Sequence, residues 1–489
     1  MIPTRAIGLR LTALVAVAAL LASACGPSNV KPTPVQAVAT PTGPVGTPVG
    51  ETVVRWFVGL GIGNDASQVS AEEAFVKAYD ASQSKIYISL EIVPADVAYE
   101  TLKAEIANGN APDIVGPVGV RSRNGFSGDF LDLSSEISKS NFNMARFPSG
   151  LVDFFKDGTK GQLGIPYLID PGFIFYNKDI FAAANLPNLP TKVGQQWNGQ
   201  DWTWDTLEGI AAQLTVDNKG RKSTNAAFDT TNIARYGIDF QWADARTVAS
   251  CFGPGTFLGA DGLASIPDSW QAAWTWYYDA MWKTHIAPTG KVIASALMGN
   301  GSTAASGNLA MAVSWPWAIS TYAGAPNTDG SYSPKFGHWD IAVMPSNGGV
   351  TTSPMDATTF EITRTSAHPD AAFTAMTAIM ADKTLQTVYG VMPAATADQQ
   401  AWFNQFDQYL AKIFPGNTVT WSVLQNMENY PANPSPEADL PNFQKVISLT
   451  ATFFGKMQSS GNLNLPNEMT SLQSSIQKAF EQASLTANP

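Results

Sequence analysis

Apolar and polar positions switch between two periods along this chain, and the switching lays out an ordered series of strands and helices. Thr52 to Val58 is a short run rich in β-branched and aromatic residues, which predicts a strand. A glycine turn follows at Gly59-Leu60-Gly61-Ile62-Gly63. Ser70-x-x-Glu73 is a capping-box pattern, and Ala71, Ala74, Phe75 and Ala78 fall on one helical face, so a helix is expected to start there. Tyr87 to Val93 reads as a second strand. From about Asp96 a second helix turns Tyr99, Leu102 and Ile106 inward, with Gly109 as its stop. Asp113-Ile114-Val115 is short and apolar, as a buried parallel strand should be. Strand, helix, strand, helix, strand predicts an α/β fold with a parallel sheet. In such sheets ligands gather at the carboxyl ends of the strands, here the Gly59–Asn64 and Gly116–Arg121 loops.

The mixture continues downstream. Ile174 to Tyr176 is strand-like, and Leu207, Ile210, Ala211 and Leu214 form a helical face after Asp201-Trp202-Thr203-Trp204-Asp205. Asp217-Asn218-Lys219-Gly220 has turn chemistry. Trp270, Trp274, Tyr277, Tyr278 and Met281 recur at helical spacing and read as a core stripe. Ile341 to Met344 ends in a Pro-Ser-Asn-Gly-Gly turn. His368-Pro369-Asp370 opens another helix, whose buried face should be Ala372, Phe373, Met376, Ile379 and Met380. No internal repeat has a fixed period, and no long polar linker interrupts the body.

The start of the chain follows other rules. Arg5 and Arg10 precede an apolar run from Leu11 to Leu21, too short to span a bilayer as a mature helix. Ala22-Ser23-Ala24-Cys25 then resembles a bacterial lipobox, so residues 1–24 are expected to be a signal peptide and Cys25 the acylated new terminus. An ordinary secretory signal that contains a cysteine is the alternative. Residues 25–50 are mostly Pro, Gly, Thr, Val and Ala with one charge at Lys31, the composition of a mobile tether.

Composition narrows what the body can do. What remains of the 489 residues exceeds what one core usually encloses, so two domains are expected. A net charge of −11 argues against nucleic-acid binding and leaves the lipid as the only membrane attachment. With Cys25 lipidated, Cys251 has no intramolecular partner and reads as a small core residue. His285, His338 and His368 are scattered without zinc-ligand spacing, and neither metal nor cofactor is expected.

Several segments, in order, resemble the extracellular solute-binding proteins of ABC importers, the group that includes maltodextrin binders. They are Gly109 to Val115, Gly164-Ile165-Pro166-Tyr167, Phe175 to Phe181, Trp204-Asp205-x-Leu207, Gly307-x-x-Ala310-Met311, Ser314-Trp315-Pro316-Trp317 and Ile341 to Pro345. The resemblance covers roughly Thr52 to Pro393 and implies a two-lobed α/β clamp of periplasmic-binding-protein type, each lobe a mixed sheet flanked by helices. Residues 51–168 with 356–388 would form one lobe, and 169–355 with 389–489 the other. Crossings are expected near Pro166–Gly172, Val350–Asp356 and Tyr389–Ala394. A monomer would capture a sugar or other small solute by hinge closure and deliver it to ABC permease subunits.

The same resemblance nominates site residues. Pro316-Trp317 matches the place where sugar-binding relatives stack an aromatic on a pyranose, which suits C–H groups against a π face. Asp170 aligns with a hinge acid that accepts hydrogen bonds from sugar hydroxyls, and Arg121 with a cleft arginine. Trp242 sits where the second lobe presents an aromatic. Trp315 beside Trp317, Met355 and Asp356 at the second crossing, and Gly59 and Gly61 from the first loop complete the set. Pro117 stands where maltodextrin binders carry tryptophan, and Leu60-Gly61 replaces an acidic–basic pair, so contacts specific to maltose are missing.

Other functions compete. Gly59-x-Gly61-x-Gly63 brings its third glycine one residue early for a dinucleotide fingerprint, and Gly125-Phe126-Ser127-Gly128 lacks the final glycine of a serine elbow. A secreted glycosidase needs two carboxylates facing one cleft, which 40 acidic residues permit. A peptide, polyamine or phosphorylated polyol as cargo, or a surface adhesion role, also stays open. The reading carried forward is a binder without a catalytic residue.

Overall fold

The computed structural model describes residues 50–126, 128–157, 160–319, 322 and 336–487. The signal segment, Cys25 and nearly all of the tether lie outside the described residues.

The first half-sheet follows the hydrophobic pattern closely. Strands β1 (Thr52–Val58), β2 (Ile86–Ile92) and β3 (Ile114–Gly119) are connected through helices Ala66–Ser82 and Ala95–Ala107. β1 pairs in parallel with both β2 and β3. A small hairpin, β4 (Lys156–Asp157) with β5 (Gly161–Gln162), precedes β6 (Ile165–Pro171) and β7 (Phe173–Asn177). Every residue of β6 and β7 is buried, which explains their mainly apolar character, broken only by Asp170 and Asn177. β8 (Val216–Asp217), β9 (Ile233–Phe240), β10 (Leu309–Ser314) and β11 (Trp339–Ala342) come next. A second hairpin, β12 (Ser346–Asn347) with β13 (Val350–Thr351), leads to β14 (Met355–Ile362) and finally β15 (Met392–Pro393).

Among the described residues these strands build two mixed sheets. One runs β15-β6-β14-β3-β1-β2 and the other β11-β7-β10-β9-β8. The chain leaves the first sheet at Gly172, between β6 and β7, and returns to it at β14. It leaves again after β15, and helix Phe443–Ser459 then packs on helices Ala245–Ser250 and Asp268–Trp282 beside the second sheet. The passages are stitched together. Gly172 N–H donates to the Pro354 carbonyl at 2.9 Å, and Ser353 N–H to the Tyr430 carbonyl at 2.8 Å. A Cβ on Gly172 would lie 2.6 Å from Pro354 Cγ, so only glycine lets the two passages touch.

Two expectations for the first helix need correction. It begins at Ala66, with Asp65 and Gln68 forming the capping box in place of Ser70 and Glu73. Its inward face carries Gln68 and Glu72, while Ala74 and Ala78 are exposed. Glu72 is fully buried and accepts the Tyr389 hydroxyl at 2.7 Å. Burial pushes the Glu72 carboxyl up to about 7. Later elements match more closely. The helix Pro369–Ala381 buries Ala372, Phe373, Met376, Ile379 and Met380, and Cys251 is a free, fully buried thiol.

Candidate functional site

A cleft opens where the segments that follow β3 and β9 approach the Trp315–Trp317 turn and the β14 entry. Trp315 is anchored first: its indole N–H donates to the Pro354 carbonyl at 3.2 Å, and it is only 7% exposed. Trp317 stacks on Trp315 with ring centres 5.5 Å apart and 12° between planes. Trp242 in turn stacks on Trp317 at 5.2 Å and 28°. The three indoles form one row. Trp317 and Trp242 stay open to water, at 45% and 50% exposure. Trp242 also holds φ at +55°, a left-handed conformation that a bulky residue rarely adopts.

Charged groups close the opposite wall. Arg121, on the short helix Val120–Arg123, bonds Asp244 at 2.6 Å and lies 3.7 Å from Glu437. Arg246 bonds the same Asp244 oxygen at 2.6 Å and also contacts Glu437, so two arginines and two carboxylates form a ring. Burial opposes ionisation of Asp244, yet Arg121 and Arg246 hold its carboxyl well below the usual range. Burial likewise works against the Arg121 charge, but the carboxylates of Asp244, Glu437 and Asp356 outweigh it and raise its pKa. Asp244 also caps helix Ala245–Ser250 by accepting the Thr247 N–H at 2.9 Å, which fixes the ring to the backbone.

The floor is β14. Met355 is largely covered, while Asp356 presents its carboxylate to the cavity. Crowding by protein pushes that carboxyl upward, against the pull of Arg121. Asp170 lies directly across from Asp356 in the β6–β14 register. It is only 6% exposed, and burial, then the Asp356 carboxylate, push its carboxyl well above the usual range.

A family model described as bacterial extracellular solute-binding protein matches residues 64–385. The chain belongs to that family. A search of curated proteins returns no significant match. Among solved structures, this solute-binding protein is similar to UspC of M. tuberculosis, with TM-score 0.65 and 20% identity over 88% of this chain and 100% of that one. It is also similar to the sugar-binding protein MalE of Xanthomonas citri (TM-score 0.62, 14% identity, 90% and 100% coverage). A third is the cyclic alpha-maltosyl-1,6-maltose binding protein of Arthrobacter globiformis (TM-score 0.61, 16% identity, 88% and 100% coverage). At these identities the likeness concerns fold, and the fold is the two-lobed α/β type of periplasmic binding proteins.

Within this fold the nominated residues divide. Trp317, Trp242, Trp315, Arg121, Met355 and Asp356 line one cavity. Gly59 and Gly61 line a second cavity that also reaches Arg121. Asp170 is not among the residues lining either, and it is only 6% exposed. Sequence reasoning missed Arg246 and Glu437. Arg246 carries no motif, and Glu437 sits in a Pro/Asn-rich stretch, Asn433-Pro434-Ser435-Pro436-Glu437, whose only local signal is that it is a loop. Among the described residues no group of His, Cys, Asp and Glu could hold a metal ion, and no helix is long and apolar enough to cross a membrane.

Proposed function

We propose that this solute-binding protein captures a neutral sugar or oligosaccharide between its lobes and passes it to the permease of an ABC importer, without turning it over. The observation that carries the reading is the row of three stacked indoles, two of them held about half open in a cleft. An exposed indole plane suits a sugar ring, which presents C–H groups to the negative face of the π system. Trp242 adds weight, since a bulky residue kept in a left-handed conformation costs about 1–3 kcal/mol and such strain collects at functional sites. Asp356 takes the role first given to Asp170, accepting hydrogen bonds from vicinal hydroxyls beside the indoles. Two solved proteins of similar fold, the cyclic alpha-maltosyl-1,6-maltose binding protein and MalE, are sugar binders, which supports the same cargo.

In this reading the mature chain is a monomer moored through Cys25 outside the cytoplasm, with residues 25–50 as tether. Closure of the lobes selects the liganded state for recognition by the permease. A thermal-shift screen against sugars, amino acids and polyamines tests it. A bound ligand at about 100 times its Kd adds about 2.7 kcal/mol of stability. We expect neutral oligosaccharides to raise the melting point and Trp317→Ala to remove the rise. Shifts confined to amino acids or polyamines would discard the sugar. Release of free sugar from a chromogenic glycoside would discard the assignment as a pure binder.

A further inference from the structure

Two cavities of the cleft meet at Arg121 and Arg246, which line both. The indole cavity encloses about 150 Å³. The second, about 380 Å³, lies beyond the arginines. Small-molecule sites ordinarily span ~300–1,000 Å³, so the indole cavity is undersized alone and the two together fall within that range.

The second cavity has its own recognition surface. On one side stands the Gly59–Gly61 loop, with Leu60 largely buried between the two glycines. A Cβ on Gly61 would sit 2.7 Å from the Pro117 carbonyl oxygen, so the close approach of the loop to β3 admits only glycine at that position. On the other side stand Phe443, Gln444 and Ile447, from the helix Phe443–Ser459. That helix lies beyond residues 64–385, so this wall belongs to a part of the chain the family pattern does not describe. Tyr99 closes the end, its ring stacked on Phe443 at 6.3 Å with 18° between planes.

The divider is suited to a neutral chain. Arg121 and Arg246 are matched by Asp244 and Glu437, so the ring they form has no net charge to draw an anion. A guanidinium carries five N–H donors, more than the bond to Asp244 occupies, which leaves Arg121 able to donate to hydroxyls.

We propose that the second cavity is a further binding compartment, and that the cargo is a neutral oligosaccharide lying across Arg121 and Arg246 with one end on the indoles and the other beside Tyr99 and Ile447. This deepens the sugar reading and rests on it. Calorimetric titration with a size series from disaccharide to hexasaccharide tests it, using the parent chain and variants that fill the second cavity. Ile447→Trp and Gln444→Trp both qualify, because Ile447 is partly exposed and Gln444 exposed. We expect the parent to bind the hexasaccharide about tenfold or more tightly than the disaccharide. Either variant should erase that preference while keeping the disaccharide affinity and the melting point of the parent. Equal affinity along the series, unchanged in both variants, would overturn the second compartment and leave sugar binding intact. Absence of binding by every sugar in the parent would overturn the sugar reading itself, and the compartment with it.

Discussion

Two groups of tryptophans in this molecule use the same side chain in opposite ways. On helix Asp268–Trp282, Trp270 and Trp274 are fully buried, and their indole N–H groups donate to the carbonyls of Gly253 at 3.2 Å and Ala245 at 2.7 Å. They fill a core and satisfy their one polar atom on backbone. In the cleft, Trp242 and Trp317 leave about half their surface to water and stack on one another. Burying an indole is strongly favourable, so holding two of them open against that tendency calls for scaffolding. The anchored Trp315 and the left-handed backbone at Trp242 supply it. The lesson is that tryptophan count says little about binding, whereas the periodicity and backbone around each tryptophan say a good deal.

The contrast can be broken at either end. Trp274→Ala should cost about 3–5 kcal/mol of stability, as large-to-small core changes do, and a denaturant melt would register it directly. Trp317→Ala should leave that melt within about 1 kcal/mol of the parent, because a half-exposed ring contributes little to folding. Equal losses in both variants would erase the distinction between core and platform.

The same contrast holds for carboxyls. Asp356 faces cleft water, whereas Glu428 is 2% exposed and hydrogen-bonded by the Gln399 amide. Burial pushes the Glu428 carboxyl up to about 8. A carboxyl raised in the folded state binds its proton more tightly there than in the unfolded chain. Its contribution is therefore intact below the ordinary value near 4.3, and is lost as pH rises toward about 8, at up to about 1.4 kcal/mol per pH unit. Glu428→Gln, neutral at every pH, should flatten the fall in stability across this window. Melts of parent and variant with the same slope would show that Glu428 is not the group responsible.

A finer prediction concerns Trp242. Replacing it with glycine removes the left-handed strain, so stability should hold or rise by about 1 kcal/mol while sugar affinity drops. A clear loss of stability would mean that the residue packs more than it presents.

Much of this was legible along the chain, and the failures have identifiable causes. Pro369–Ala381 could be read face and all, because proline fixes its start and its apolar residues keep strict helical spacing. The first helix misled because alanines at the right spacing imitate a core face, while the true inner face holds Glu72, satisfied only by a tyrosine 317 positions away. Trp317 and Trp242 could be singled out because they stand in short turns outside any helical stripe. The arginine–carboxylate ring could not, since Arg246 and Glu437 meet across 191 positions and neither segment bears a local mark. The burial of Asp170 had no local mark either, since the strand that faces it in the sheet, β14, is distant in sequence.

The central claim is that the open indoles of the cleft receive a sugar ring. Tryptophan emission, followed as a neutral oligosaccharide is titrated into the parent and into Trp317→Ala, tests it most directly. A saturable change in emission is expected in the parent and should disappear in the variant, with both chains equally folded beforehand. A saturable change that survives unaltered in Trp317→Ala would contradict it.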